Sequence, residues 1–315
     1  MPAYSDVVFD PAASCPEVGW LRSALAARDW TACRALLDAA PPAIRTGLIT
    51  LGADAPDLED FLRTVLRNDP NDGAASAMLG AHLTDVGWQV RGGARAKYVS
   101  RDQFAVFHEW LAKAERVLVD GAARNPHDPA IWTARLPTAR GLQLGEAEAR
   151  RRYGHLAAAD PHHRPGQEHL LQQLCPKWGG SWDSAHAFAR EAMLSSPPGS
   201  QNAVLVAAAH VEHWLDLESG EDQEYLRSTA VRNEIYEAAA HSVWHPQFAR
   251  TYGWVSVLSA FAMLFSQSGD QRAAGPLFVA LGPLASEWPW NYLGDPVETI
   301  RERRYYATGS RGVSR

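Results

Sequence analysis

The sequence predicts an all-α protein built from antiparallel helix pairs stacked on one another. Segments with the apolar period of an amphipathic helix follow one another along most of the chain, and long alternating, β-branched stretches typical of strands are absent. Prolines close several of these segments at nearly equal intervals, of 35 residues from Pro126 to Pro161 and 36 residues from Pro161 to Pro197. An interval of this size indicates a repeated unit of two helices.

Eight segments carry the helical pattern most clearly. Their apolar residues recur every three or four positions, and alanine, which has a high helix propensity, is frequent in them. We therefore predict helices over residues 21–37, 58–66, 104–123, 147–159, 185–194, 204–217, 234–243 and 249–265. Strands are not expected to matter to the fold.

Prolines mark the turns between these segments. A proline cannot continue a helix, and it holds the residue before it in an extended conformation. Asp, Asn and Ser are typical helix-capping residues, so in that preceding position we expect them to cap the helix that follows. The four pairs are Asp69-Pro70, Asn125-Pro126, Asp160-Pro161 and Ser196-Pro197.

A second feature recurs inside the intervals between prolines. A tight turn precedes a segment with a small residue near its start, an aromatic or leucine residue further on and a proline at its end, as in Ala149, Tyr153 and Pro161. The small residue lets two helices approach closely, and the larger one fills the gap to the next pair. This pattern resembles the second half of the tetratricopeptide repeat. The resemblance implies helix hairpins stacked as an irregular tetratricopeptide-like superhelix.

Residues 176–181 form the motif Pro-Lys-Trp-Gly-Gly-Ser. The motif follows an amphipathic segment and precedes one that carries Ala185 and Phe188. It is similar to the signature of a bacterial family of unknown function, whose members are predicted to be tetratricopeptide-like. This resemblance implies neither a reaction nor a ligand.

We predict a single helical repeat domain over residues 16–306, with flexible termini at 1–15 and 307–315. The chain of 315 residues carries a formal net charge of -6, which offers no basic surface for a nucleic acid or an anionic membrane. No apolar stretch approaches the roughly 20 residues of a transmembrane helix. The three cysteines are too widely spaced for a disulfide framework, so a reducing cytoplasm is the expected location.

The Pro-Lys-Trp-Gly-Gly-Ser motif and the residue after it supply the first candidate site. Its residues are Lys177, Trp178, Gly180, Ser181 and Trp182. The glycines allow a sharp reversal between two helices, Ser181 would cap the second helix, and the start of that helix would attract an anion together with Lys177. The tryptophans would stack on a ligand. The alternative is a structural corner, in which the glycines serve the turn and the tryptophans serve packing.

The second candidate site consists of His210 and His213, followed directly by Trp214. At a spacing of three residues the two histidines share one helix face, where they would act as a general acid and base beside a groove. The alternative is a hydrogen-bonded, partly buried pair. The sequence predicts no metal and no cofactor, because the other histidine-rich stretch, residues 155–175, matches no recognised metal-ligand spacing.

Two functions are consistent with these features. The one that the sequence favours is a non-catalytic interaction protein, which would bind a peptide or protein partner on the concave face of the superhelix. The alternative is an enzyme or small-molecule-binding protein with a pocket near residues 177–182 and 210–213. A pocket in which these side chains converge and titrate abnormally would favour the second function.

Overall fold

The computed structural model describes residues 7–93 and 98–309 of the chain. Contacts between Cα atoms divide the chain into two compact units, a first unit of residues 16–180 and a second unit that joins residues 1–15 to residues 181–315. The regular elements of the described residues are helices, apart from an isolated bridge between Val8 and Leu284. The all-α prediction is therefore confirmed. No helix in this part of the chain is long and apolar enough to cross a membrane.

The described residues of the first unit form nine α-helices. They are α1 (Pro16–Ala26), α2 (Trp30–Ala39), α3 (Pro42–Ala53), α4 (Leu58–Asn68), α5 (Gly73–Arg91), α6 (Arg101–Arg124), α7 (Pro129–Gly141), α8 (Gly145–Ala159) and α9 (Arg164–Leu174). Helix α5 is the centre of the unit, because α3, α4, α6 and α7 all pack against it. A Cβ atom at Gly80 would lie 2.3 Å from the side chain of Leu118, so a small residue is what lets α5 and α6 approach closely.

At two of the proline-marked turns, the residue before the proline ends one helix, and a different residue caps the start of the next. Asp69 and Asn125 are the C-terminal caps of α4 and α6, and each is followed by a proline. Three residues later Asp72 and Asp128 cap α5 and α7 by accepting hydrogen bonds from backbone N–H groups. The expectation that the residue before the proline caps the following helix is therefore wrong here, because that residue is still bound to the preceding helix through its own N–H.

A buried ion cluster joins α6, α7 and α8. The guanidinium of Arg152, 2% exposed, contacts Glu115 at 2.7 Å and also Glu148, while Arg135 binds Glu115 at 3.2 Å. Burial alone would raise the pKa of Glu115, but the Thr138 hydroxyl and the two arginines hold it below its ordinary value. Because each charge has a partner, these helices tolerate ionised groups inside their interface.

The described residues of the second unit form seven α-helices and three short 3-10 helices, at Pro11–Ala13, Gln201–Ala203 and Trp290–Leu293. The α-helices are α10 (Trp182–Ser195), α11 (Val204–Asp216), α12 (Glu221–Arg227), α13 (Thr229–His241), α14 (Trp254–Gln267), α15 (Gln271–Leu281) and α16 (Pro296–Gly309). Helix α14 is buried on all sides from Val257 to Ser266 and packs against α11 and α15. Val8 attaches the start of the chain to this unit, since its N–H donates to Pro283 and its carbonyl accepts from Ala285.

The tetratricopeptide-like superhelix and the single domain over residues 16–306 stay predictions. The flexible termini predicted at residues 1–15 and 307–315 fall partly outside the described residues, at 1–6 and 310–315. Within the described part, α16 continues to Gly309.

Candidate functional site

Four consecutive helices of the second unit bring five polar side chains together, which we call the histidine cluster. Its members are His186 from α10, His210 and His213 from α11, Tyr225 from α12 and Glu234 from α13. The prediction that His210 and His213 share a helix face is confirmed, because both hydrogen-bond to the Tyr225 hydroxyl. His210 is buried, whereas 47% of the Glu234 side chain is exposed, so the cluster runs from the interior of the unit to its surface.

A chain of hydrogen bonds links the members of the histidine cluster. Glu234 Oε2 lies 3.1 Å from His210 Nε2, and His210 Nδ1 lies 2.7 Å from the Tyr225 hydroxyl. The same hydroxyl lies 3.0 Å from His213 Nδ1, which in turn lies 3.0 Å from His186 Nε2. With Glu234 ionised, the Nε2–H of His210 donates to the carboxylate, and its Nδ1 accepts a hydrogen bond from the Tyr225 hydroxyl. The Tyr225 oxygen is then the acceptor for His213.

Burial sets the charge state of this cluster. It lowers the pKa of His186 to about 4, helped by the charges of His210 and His213, and it lowers the pKa of His213 as well. Burial also raises the pKa of Tyr225, whereas the hydrogen bond from His210 lowers the pKa of Glu234. At neutral pH the cluster therefore contains uncharged imidazole rings of His186 and His213, a protonated phenol and an ionised carboxylate.

The neighbouring candidates of the second unit differ in their roles. The Trp182 ring stacks on the His213 ring, with centroids 4.4 Å apart and an interplanar angle of 3°, so Trp182 belongs with the cluster. Ser181 caps α10 as expected, because its hydroxyl accepts the N–H of Ser184. Trp214 is half-buried, and none of the ring contacts that build the cluster includes it.

The other part of the motif, residues 176–180, forms a corner at the end of α9 in the first unit. Residues Pro176–Trp178 make one 3-10 turn, and Gly179 follows in the left-handed region with φ of 90°. The side chain of Gln173 donates to the Trp178 carbonyl, and Lys177 is exposed. A Cβ atom on Gly180 would lie 2.0 Å from the carbonyl oxygen of Leu174, so only glycine fits there. The glycines of the corner thus serve the turn, while Trp178 has a further role.

Trp178 is one wall of a cleft of about 240 Å³ in the first unit, which we call the aromatic cleft. Residues of α3, α5, α7 and α9 line the rest of it. The Trp178 ring meets the Trp88 ring at an interplanar angle of 90°, with centroids 5.9 Å apart. The guanidinium of Arg140 lies within 5.8 Å of both ring centroids and donates to the backbone carbonyl of His169. The cleft therefore combines aromatic walls with a fixed positive charge.

Asp85 places a carboxyl group in the same cleft. Burial, followed by the charge of Asp54, raises the pKa of Asp85 to about 7. No described residue donates a hydrogen bond to this carboxyl or pairs with it. His169 of α9 also lines the cleft. Burial and the charge of Arg140 lower its pKa to about 3, so it is uncharged at neutral pH. Asp85 is thus an acid with neither a structural partner nor free solvation.

Three further polar atoms of the aromatic cleft are buried without a hydrogen-bond partner among the described residues. They are the indole Nε1 atoms of Trp88 and Trp178 and the hydroxyl of Thr133. A buried donor without a partner costs roughly 1–3 kcal/mol. All three atoms belong to residues that line the cleft.

Sequence reasoning missed most residues of both sites. His186, Tyr225 and Glu234 join the predicted pair of His210 and His213 only through helix packing, although His186 follows Trp182 by four residues on the same helix. In the aromatic cleft, Trp178 alone belongs to a predicted site. Nothing in the local sequence around Asp85, Trp88 and Arg140 marks them as partners, because α5 and α7 are joined by a helix that lies between them in the chain.

No protein-family model, no curated protein and no solved structure matches this chain.

Proposed function

We propose that the first unit binds a small zwitterionic molecule of the amino-acid class in the aromatic cleft. The observation that carries this proposal is Asp85, a partly buried carboxyl without a partner among the described residues, in a cleft that also holds Arg140. An ammonium group at Asp85 and a carboxylate near Arg140 would match both charges. The volume of about 240 Å³ limits the ligand to a small molecule.

The charge of Asp85 supplies the first part of the argument. Placing an ionised carboxylate in a partly buried site is unfavourable unless a cation compensates it. Arg140 does not do so, since the shift of the Asp85 pKa comes from burial and from Asp54 alone. A protonated amine next to Asp85 would stabilise the ionised form, so binding would release a proton whenever Asp85 starts protonated.

The walls of the cleft formed by Trp88, Trp178 and Arg140 carry hydrogen-bond donors. The indole N–H groups of Trp88 and Trp178 and the guanidinium of Arg140 are all donors, and none of them accepts a hydrogen bond. A ligand carboxylate would match the positive charge of Arg140 on this side of the cleft. The faces of the two tryptophans give apolar contact to the carbon atoms between the two charged ends.

We expect calorimetric titration with free amino acids to identify at least one ligand that binds more tightly at pH 8 than at pH 6. With a pKa of about 7, Asp85 is only about one-tenth ionised at pH 6, so affinity should fall roughly tenfold. Asp85→Asn should weaken binding at pH 8 by about a hundredfold, since a charged hydrogen bond contributes about 1.5–3 kcal/mol.

Asp57→Asn is the matched control. Asp57 is exposed, makes no capping hydrogen bond and has a φ of 55°, a conformation that asparagine tolerates. This variant should bind as the wild type does. For each ligand found, the amine without the carboxylate and the acid without the amine should bind at least tenfold more weakly. Equal binding of either fragment, or no effect of Asp85→Asn, would contradict the proposal.

The peptide-binding or protein-binding role that the sequence favours stays a prediction, as do the absence of nucleic-acid and membrane partners and the cytoplasmic location. Acid–base catalysis by His210 and His213 also stays a prediction. A pull-down with the full-length chain checks the first of these, and a partner captured equally by the Asp85→Asn variant would bind outside the aromatic cleft.

A further inference from the structure

The histidine cluster of the second unit contains the donor set of a metal site. His186, His210 and Glu234 each offer one ligand atom, and these atoms all lie within 4.8 Å of one another. Three different helices, α10, α11 and α13, supply them. Imidazole nitrogen with a single carboxylate oxygen is a combination that suits zinc and iron(II).

The spacing of the donor atoms agrees with coordination to one ion. Metal–nitrogen and metal–oxygen bonds of about 2.0–2.2 Å at tetrahedral angles place two ligand atoms roughly 3.4 Å apart. His210 Nε2 and Glu234 Oε2 are 3.1 Å apart, which requires only a small outward movement. The ligand atom of His186 lies within 4.8 Å of the other two, so a movement of about 1 Å would complete the set.

The surrounding groups orient the ligands in the way that metal sites require. A histidine that ligates through one nitrogen ordinarily has its other nitrogen hydrogen-bonded. For His210 that role falls to the Tyr225 hydroxyl, 2.7 Å from Nδ1, which becomes the donor nitrogen once Nε2 gives up its proton to bind the ion. His213 contacts His186 Nε2 at 3.0 Å and is itself held by the stacked Trp182 ring. The rings are therefore fixed before any ion arrives.

The proposed ligands are reachable from solvent and carry a negative charge. Glu234 is the ligand nearest to solvent, with 47% of its side chain exposed, and it supplies a negative charge for an incoming cation. Both terminal nitrogens of its neighbour Arg190 bind Glu237, so Arg190 acts on Glu234 only through its charge. Three protein ligands leave at least one coordination position for water or another small molecule.

We propose that His186, His210 and Glu234 bind a divalent transition-metal ion, with Tyr225 and His213 as the groups that position the ligating rings. This site goes beyond the predicted acid–base pair and does not depend on the aromatic cleft.

The experiment uses the untagged, full-length chain after dialysis against a chelator. Titration with ZnCl₂ in a calorimeter is expected to show one ion per chain and a dissociation constant below about 1 µM, which corresponds to about 8 kcal/mol. Cobalt(II) added to the same protein should give the visible absorption bands of a low-symmetry site with nitrogen ligands. These two measurements need no variant, so they test the site even where a substitution disturbs folding.

Variants then identify the ligands. His186→Gln and Glu234→Gln should each weaken zinc binding by at least a hundredfold, and His213→Gln should weaken it by about 10–100-fold, the range typical of groups that orient a ligand. His155→Gln, an exposed histidine of the first unit that stacks on Trp132, should bind zinc as the wild type does. Circular dichroism confirms that each variant is folded.

Two results would overturn the proposal. One is zinc binding with a dissociation constant above about 10 µM or without a fixed stoichiometry, which is what scattered surface histidines give. The other is tight binding that survives in both folded variants, His186→Gln and Glu234→Gln. In either case the histidine cluster would be a hydrogen-bonded network that stabilises the packing of α10 to α13.

Discussion

Gly180→Ala is expected to destabilise the first unit by about 3 kcal/mol or more, a large effect for a single added methyl group. The Cβ atom would lie 2.0 Å from the carbonyl oxygen of Leu174 and 2.4 Å from its carbonyl carbon. These are backbone atoms at the end of α9, so relief requires the last turn of that helix to move. Urea denaturation followed by circular dichroism measures the loss.

The same substitution should also weaken ligand binding in the aromatic cleft, because Trp178 lies two residues before Gly180 and forms a wall of the cleft. Gly154→Ala is the control. Gly154 lies within α8, where an added Cβ meets nothing within 4 Å, and alanine should raise stability by up to about 1 kcal/mol. If Gly180→Ala were as stable as the wild type, Gly180 could not lie so close to the Leu174 carbonyl in solution, and the prediction would be wrong.

The corner shows where sequence reasoning succeeds and where it stops. Two adjacent glycines predict a reversal of the chain, and the structure has one there. The sequence attributes both glycines to backbone conformation, but only Gly179 has a positive φ. Gly180 is required because of its distance to Leu174, six residues earlier, and such a contact becomes visible only when the helix end is placed.

Helices and their ends follow from local signals, whereas the two sites do not. Apolar periodicity and the Asx-Pro pairs locate about half of the described helices, because helix formation and termination depend on nearby residues, but the segment predicted over 21–37 is two helices, α1 and α2. The spacing of His210 and His213 likewise fixes their common face. Glu234 lies 24 residues after His210, and its place beside that ring depends on how α13 packs against α11.

The aromatic cleft was harder to predict for the same reason. Asp85, Arg140 and His169 lie on three different helices, and each one alone resembles an ordinary surface or core residue. What distinguishes Asp85 is its surroundings, namely burial without a hydrogen bond among the described residues. Composition and periodicity carry no information about such surroundings.

Asp85→Asn is expected to change how stability depends on pH. In the folded chain the pKa of Asp85 is raised from 3.8 to about 7, so between these values the folded chain holds a proton that the unfolded chain has released. The free energy of unfolding of the wild type should therefore fall as the pH rises through this window and stay level above it. One pKa unit corresponds to about 1.4 kcal/mol, so the whole fall is about 4 kcal/mol at most, and about 2–3 kcal/mol with partial exposure.

Asparagine keeps the shape of the side chain but has no charge to bury. Asp85→Asn should therefore match the wild type near pH 4 and exceed its stability by about 2 kcal/mol at pH 8, as measured by urea unfolding across the pH range. The other groups near this carboxyl are common to both proteins. Asp54 with its neighbours His82 and Arg22 remains, Arg140 stays charged, and His169, with a pKa of about 3, is uncharged throughout.

The difference in the free energy of unfolding between the wild type and Asp85→Asn therefore reports on Asp85 alone. Parallel stability curves for wild type and variant would show that the carboxyl is well solvated, and the proposed role of Asp85 as the counter-ion of an amine would lose its physical basis. Diverging curves would show that Asp85 costs stability at neutral pH. Such a cost is what the proposed role of Asp85 requires, because a bound ammonium group would offset it.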